Sequence, residues 1–321
     1  MKAQNVTILG LNRTGLSVGL ALKQSSAALE ITGYDENREV LNQAQKMGAV
    51  DKTQWKIINA VAEADIIVVS VTATQLEQTL RVIGQDLQAH ALLVDMSSLK
   101  AKGQKWASQY LAQGHYVGAA PVWAAAALVE AVEDPAGARA DLFKNSVMCL
   151  MPSPAAEPKA VETAVNLGLL LGAQPFFLDA AEYDSLSQGV QTVPGLAAAA
   201  MFRAVVQTKG WRDMLRFAQA PFAQATVPLE EAADVAYRAF NDREATLRWL
   251  DALQQELKEI RRWVADGDEE RLAALLQQLN QERGDWLVTR ARNDWQEGQG
   301  PDIETPGLLG QMFGSRRKKE A

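Results

Sequence analysis

Residues Val6–Ser17 read VTILGLNRTGLS. A strongly apolar run enters a loop with glycines at Gly10 and Gly15, and a helix-like stretch follows. Two phosphate-binding motifs share this outline. The P-loop G-x-x-x-x-G-K-[ST] needs a lysine to reach the β- and γ-phosphates, and the residue after Gly15 is Leu16. The fingerprint G-x-G-x-x-G keeps Gly10 and Gly15 but has Asn12 in its middle position. It also demands an acidic residue about 20 positions on, at the end of the second strand. Asp35 stands 20 residues after Gly15 and closes the run LEITGYD. Strand, glycine loop, helix, strand and acid follow in order, so the stretch reads as a dinucleotide-binding loop.

The pieces imply a mechanism. Gly10 permits the tight turn, and Gly15 lets the helix pack closely on the sheet. The helix N-terminus, with free N–H groups and a positive dipole end, receives the pyrophosphate. Asp35 accepts hydrogen bonds from the ribose and repels a 2′-phosphate, which favours NAD. Arg13 and Arg38 leave NADP open. Asn12 tolerates positive φ, but its side chain occupies space that glycine leaves for the phosphates. The expected cofactor set is Gly10, Asn12, Arg13, Thr14, Gly15, Asp35 and the strand-end residues Val71, Thr72 and Ser97.

Outward from the loop, short apolar runs alternate with helical patterns. Candidate strands are residues 6–11, 30–35, 65–71, 91–96, 116–122, 146–151 and 175–179. Candidate helices are 15–24, 38–47, 74–87, 101–111 and 158–171. The alternation predicts an α/β, Rossmann-type domain with a mainly parallel sheet over residues 1–179. ADIIVVSV and ALLVDM are near-continuous apolar runs, as central parallel strands require.

Past residue 180 the strand signals stop. An all-α region is expected over 180–295, with helices at 181–205, kinked at Pro194–Gly195, and at 229–240. Leu250, Leu253, Leu257, Ile260 and Val264 recur at spacings of three and four, Asp266–Asp268 forms a turn, and Leu272, Leu275, Leu276, Leu279 and Trp286 make a second stripe. This is a long αα-hairpin, and its seam suits intrachain packing or a homodimer interface. Residues 296–321, ending SRRKKEA, read as a disordered tail.

Totals narrow the function classes. The chain has 321 residues, 48% hydrophobic content and a net charge of −7, which argues against nucleic acid as a partner. No apolar run reaches the roughly 18 residues that a membrane span needs, and the N-terminus lacks a signal-peptide pattern. Cys149 is the single cysteine, so disulfide scaffolds and cysteine-rich zinc sites are excluded and a cytoplasmic location fits. No metal site is expected. Only His90 and His115 are available as imidazole bases.

From VDMSSLK (Val94–Lys100) onward the chain resembles the prephenate/arogenate dehydrogenases of the 6-phosphogluconate-dehydrogenase-like superfamily. The resemblance covers roughly residues 5–295. It includes GLNRTGLSVGLAL, YDEN, ADIIVVSV, YVGAAPVWA, Glu182–Asp184, Val193–Gly195 and WRDMLRFA at Trp211–Ala218. It implies a dimerising helical domain, a small carboxylate substrate, and oxidative decarboxylation by NAD(P)+ in tyrosine biosynthesis. By resemblance, Ser98 orients the substrate hydroxyl and Arg216 binds its carboxylate. The family's histidine positions are filled by Ala120, Thr192 and Gly195. Tyr183, Asp184 or water would then be the replacement base, and loss of a general base lowers rates by about 10²–10⁴-fold. Two alternatives stand beside this. One is a non-catalytic dinucleotide-binding or ligand-sensing dimer. The other is a β-hydroxyacid dehydrogenase-like enzyme, for which Lys209 is the one well-placed lysine. Trp123, in the segment WAAAALVEAVEDPAGARADLF, either stacks on a ring or fills a disused pocket.

Overall fold

The computed structural model describes residues 4–128 and 135–294. Eight strands form one sheet: β1 (Asn5–Leu9), β2 (Glu30–Tyr34), β3 (Lys52–Thr53), β4 (Ile66–Val69), β5 (Leu92–Asp95), β6 (His115–Pro121), β7 (Ser146–Pro152) and β8 (Ala173–Phe177). Their order is β3-β2-β1-β4-β5-β6-β7-β8. All neighbours are parallel except β6 and β7, which pair antiparallel with Ala120 opposite Cys149. The sheet is therefore Rossmann-like and mainly parallel, as expected, with an edge pair reversed.

Helices α1 (Arg13–Gln24), α2 (Arg38–Lys46), α3 (Ile57–Val61), α4 (Ala73–Ile83), α5 (Lys100–Tyr110) and α6 (Pro158–Leu170) cover both faces. The two apolar layers follow from strand alternation. On one face Val6, Ile8, Val68, Val94 and Val117 pack with Leu16, Leu22 and Leu167. On the other, Leu9, Ile67, Val69 and Leu93 pack with Leu76, Leu80 and Trp106. β4 is buried at every position, which explains its unbroken apolar sequence. The sequence reading missed β3 and α3. Each is too short to show a period of its own.

Helices begin where side chains can cap them. Asn12, Asn37, Asp179, Asp242 and Asp268 each accept a backbone N–H of the turn that follows. After β8 the chain is helical: α7 (Ala180–Ser187), a π-helical turn (Gln188–Thr192), α8 (Val193–Val206), α9 (Trp211–Arg216), α10 (Ala220–Thr226), α11 (Ala232–Asn241), α12 (Arg243–Asp266) and α13 (Glu269–Arg292). The break anticipated at Pro194 is the π turn just before it. The helix expected over 229–240 starts as a 3-10 turn (Val227–Glu231) before α11.

One expectation needs correction. The 27-residue helical run Ala180–Val206 is long and apolar enough, by length and composition, to cross a membrane. In the fold its first part packs on α5 and its second on α11. Residues 129–134 of the alanine-rich segment and the whole 296–321 tail lie outside the described residues.

Candidate functional site

The strand order reverses direction between β1 and β4, and a crevice opens there beyond the carboxyl ends of the strands. Three adjoining cavities of about 480, 450 and 420 Å³ form a trough. The first is lined by Gly10, Asn12, Asp35, Glu36, Val71 and Thr72. The middle one shares Asn12, Val71 and Thr72 with it and adds Thr14, Ser97 and Ser98. The last runs from Thr14, Ser97 and Ser98 to Ala120, Trp123, Tyr183 and Arg238.

At the first cavity, Gly10 has φ +87°, and a side chain there would overlap the Ser70 carbonyl. Asp35 ends β2 with its carboxylate fixed: Oδ2 accepts from Leu11 N (2.9 Å) and Oδ1 from Asn37 N (2.9 Å). Asn12 does not use positive φ. It is extended at φ −69°, ψ −177°. Its Oδ1 accepts from Gly15 N (2.9 Å) and Ser70 Oγ (2.9 Å), while Nδ2 donates to Ser70 O (2.9 Å). The residue that departs from the fingerprint thus caps α1 and ties the loop to the end of β4.

Arg13 is placed elsewhere. It is buried, its guanidinium lies 4.4 Å from the Trp123 ring centre, and it lines none of the three cavities. Arg38 is exposed and stacks on Trp55 at 4.4 Å. Asp35 and Glu36 are the charged residues lining the first cavity among the described residues. Trp123 covers the Arg13 guanidinium with one side of its ring and also lines the third cavity. Its carbonyl accepts from Arg290 Nη2 (2.8 Å), so the end of α13 fastens this wall.

The Ser97–Ser98 loop is braced from below. Lys100 is fully buried, and its Nζ donates to Asp95 O (2.8 Å) and to Ser97 O. The Asp95 carboxylate accepts from Ser97 N (2.8 Å) and Tyr116 Oη (2.6 Å). Burial lowers the Lys100 pKa against the pull of Asp95 and Asp184, and burial with Asp95 holds the Tyr116 phenol well above its ordinary value. Among the described residues, the buried hydroxyls of Ser97 and Ser98 have no hydrogen-bond partner.

The remaining sequence candidates separate. Ala120 lines the third cavity. Thr192 is buried but does not line it. At Gly195 an added Cβ would lie 2.7 Å from Val235 Cγ2, so α8 and α11 close over that position. Arg216 is not brought to the trough: its side chain is 80% exposed on α9 and pairs with Asp213 at 3.4 Å. Lys209 is exposed and lines none of the three cavities. His90 and His115 share a separate cavity with Asp65 and Glu157. Tyr183 lines the trough, but burial pushes its pKa to about 12, so it is a proton donor near neutrality. Both Asp184 oxygens accept N–H groups at the start of α5, from Lys100 and Ala101 (2.9 Å each). Burial raises its pKa. The cation that does line the trough is Arg238 on α11, with Glu231 beside it. Sequence inspection missed Arg238 because nothing in ADVAYRAFN separates it from a solvated helical arginine. It also passed over Lys100, although the lysine closes VDMSSLK.

The family model for the prephenate dehydrogenase nucleotide-binding domain matches residues 18–176. Over those residues the chain matches the prephenate dehydrogenase family. Within it, prephenate dehydrogenase of Bacillus subtilis (strain 168) is 26% identical over 277 residues, which span 83% of this chain and 72% of that protein. Among solved structures, prephenate dehydrogenase from A. aeolicus, in complex with hydroxyphenyl propionate and NAD+, superimposes with a TM-score of 0.76. It is 18% identical and covers 89% of this chain and 99% of that one. Synechocystis arogenate dehydrogenase gives a TM-score of 0.67 at 20% identity, over 88% of this chain and 100% of that one. These dehydrogenases share the fold over 88–89% of the chain. The matched domain begins at Val18, so the Gly10–Gly15 loop rests on its own geometry.

Proposed function

We propose that this protein is an NAD-dependent dehydrogenase of the prephenate/arogenate type, acting in tyrosine biosynthesis as a cytoplasmic homodimer. The continuous trough from Asp35 to Ala120 across the topological switch point carries this reading. The residues fit a dinucleotide. Gly10 leaves room at the turn, the start of α1 faces the trough through Thr14, and Asp35 stands at the end of β2. NAD+ supplies the hydride acceptor. Asp35 receives the adenosine ribose hydroxyls, and Glu36 beside it disfavours a 2′-phosphate. Ser97 lies between cofactor and substrate cavities, and the unpartnered Ser98 hydroxyl orients the substrate's ring hydroxyl. Residues 1–179 form the cofactor-binding domain and 180–295 the helical, dimerising one.

A second reading, a dinucleotide-binding ligand sensor, is favoured by the loss of imidazole from Ala120 and by Val235 closing on Gly195. Absorbance at 340 nm with NAD+ and either prephenate or arogenate separates the two. Turnover that falls with Asp35→Ala supports the dehydrogenase. No turnover with either substrate, while calorimetry shows NADH binding, supports the sensor. Unchanged NAD and NADP affinity in Asp35→Ala would overturn the cofactor site.

A further inference from the structure

Asn12 stands where the fingerprint has the glycine that lets a diphosphate approach the backbone. A side chain at this point obstructs the cofactor if its atoms reach into the trough. Those of Asn12 are committed inside the protein. Oδ1 accepts from Gly15 N and from Ser70 Oγ, and Nδ2 donates to Ser70 O, each at 2.9 Å. The partners fix which end of the amide is which, because only the oxygen can accept from Gly15 N and only the nitrogen can donate to the Ser70 carbonyl.

The far anchor is firm. Ser70 is buried, and its N–H donates to Leu9 O (2.7 Å) at the end of β1. Asn12 and Ser70 both line the first and the middle cavity, so the bonds between them run along the floor of the trough. On one side of Asn12, Leu11 N is held by Asp35 Oδ2 (2.9 Å). On the other, Asn12 O accepts from Leu16 N (2.9 Å), the first bond of α1. The turn between β1 and α1 is thereby tied to the ends of both strands that flank β1: to β2 through Asp35, and to β4 through the Asn12 amide. A glycine at position 12 leaves the second tie unmade, and the turn must then be ordered by the cofactor itself, which weakens binding.

We propose that Asn12 is a positioning residue for the diphosphate of the dinucleotide: its amide sets the β1–α1 turn in the binding shape before the cofactor arrives. The departure from the fingerprint is then a gain, and restoring the glycine weakens the cofactor instead of tightening it. This rests on the reading of the trough as a dinucleotide site, but its test needs no turnover.

The probes are NADH, titrated calorimetrically, and adenosine, measured by its competition with NADH. Adenosine offers Asp35 its ribose but carries no diphosphate. Asn12→Gly should weaken NADH by about 10–100-fold, the range for losing two or three hydrogen bonds, and leave adenosine within about twofold of wild type. Asn12→Ser separates capping from positioning. Its single hydroxyl can cap α1 but cannot also hold both Ser70 groups, so NADH affinity should stay low. Ser70→Ala keeps the cap and removes one of the two bonds to β4, and should weaken NADH by about 3–10-fold. Added to Asn12→Gly it should change little more, because the partner is already gone. Thermal melts check that each variant folds, and Ser70→Ala keeps the test sharp if Asn12→Gly does not. NADH binding unchanged or tightened in Asn12→Gly overturns the proposal. So does an equal loss for NADH and adenosine, or wild-type affinity in Asn12→Ser, which would leave Asn12 as a cap alone. Each of these results leaves the dinucleotide site standing. Wild type that binds neither NADH nor adenosine overturns the site and the proposal together.

Discussion

Single residues decide whether the trough exists. Gly10 combines a left-handed backbone with contact against Ser70, so Gly10→Ala must strain the turn and push on β4. A loss of about 1–3 kcal/mol is expected in urea unfolding, with NADH affinity falling in calorimetry. Asp65 does comparable work at the opposite end of the sheet. Its Oδ2 accepts from Gln4 N (2.8 Å) and Asn5 N (2.9 Å), and Oδ1 meets His90 Nε2 at 3.0 Å. Burial alone would raise its pKa, but the two N–H bonds and His90 outweigh it and lower the value. A carboxyl depressed in the folded state stabilises above its ordinary pKa and loses that contribution as pH falls through the folded value. Asp65→Ala should therefore cost about 1.5–3 kcal/mol at pH 7, and the gap to wild type should narrow below the ordinary carboxylate range. A gap independent of pH would show that the charge is not what matters.

At the scale of elements, two of the positions that the resemblance assigns to histidines behave differently. Ala120 ends a strand beside an open cavity, whereas Gly195 is the contact point of α8 with α11. Ala120→His should fold normally. If the missing base limits the rate, it should raise kcat toward the 10²–10⁴-fold that a positioned base contributes. Gly195→Ala has no such room and should lose about 1–3 kcal/mol through overpacking. Combining it with Val235→Ala should return part of that loss, a coupling that a double-mutant cycle reads directly. The Lys100 network shows the same logic in reverse: one buried amine holds two carbonyls of the loop that presents Ser97 and Ser98.

For the whole molecule, the helical half is the unfinished part. No residue of α13 is buried, and on α12 only Ala245 and Thr246 are. Leu257, Val264 and Leu276 stand 57%, 65% and 56% exposed along the hairpin, and Val190 and Phe240 are still more open. In the proposed homodimer a second copy of the arm would cover this apolar stripe. Light scattering should give twice the chain mass, and Leu257→Glu with Leu276→Glu should yield the monomer. A monomeric wild type would remove the dimer from the proposal.

Local patterns made much of this legible. The apolar runs of β1, β4 and β5 announce buried parallel strands because both faces of such strands are covered, and the Gly15–Asp35 spacing announces the first crossover because a strand–helix–strand unit has a set length. Asp-capped α12 and α13 could be read from a period of three and four. What stayed hidden was side-chain destination. Arg13 and Arg216 look available in the sequence, yet one is buried under Trp123 and the other stands in solvent, while Arg238 enters the trough unannounced. The sequence by itself determined the fold class, because burial periodicity and helix capping are local patterns. Only the tertiary structure decided which charges line the cleft, because that depends on how α11 packs on α4 and Trp123 on Arg13, partners more than a hundred residues apart in the chain.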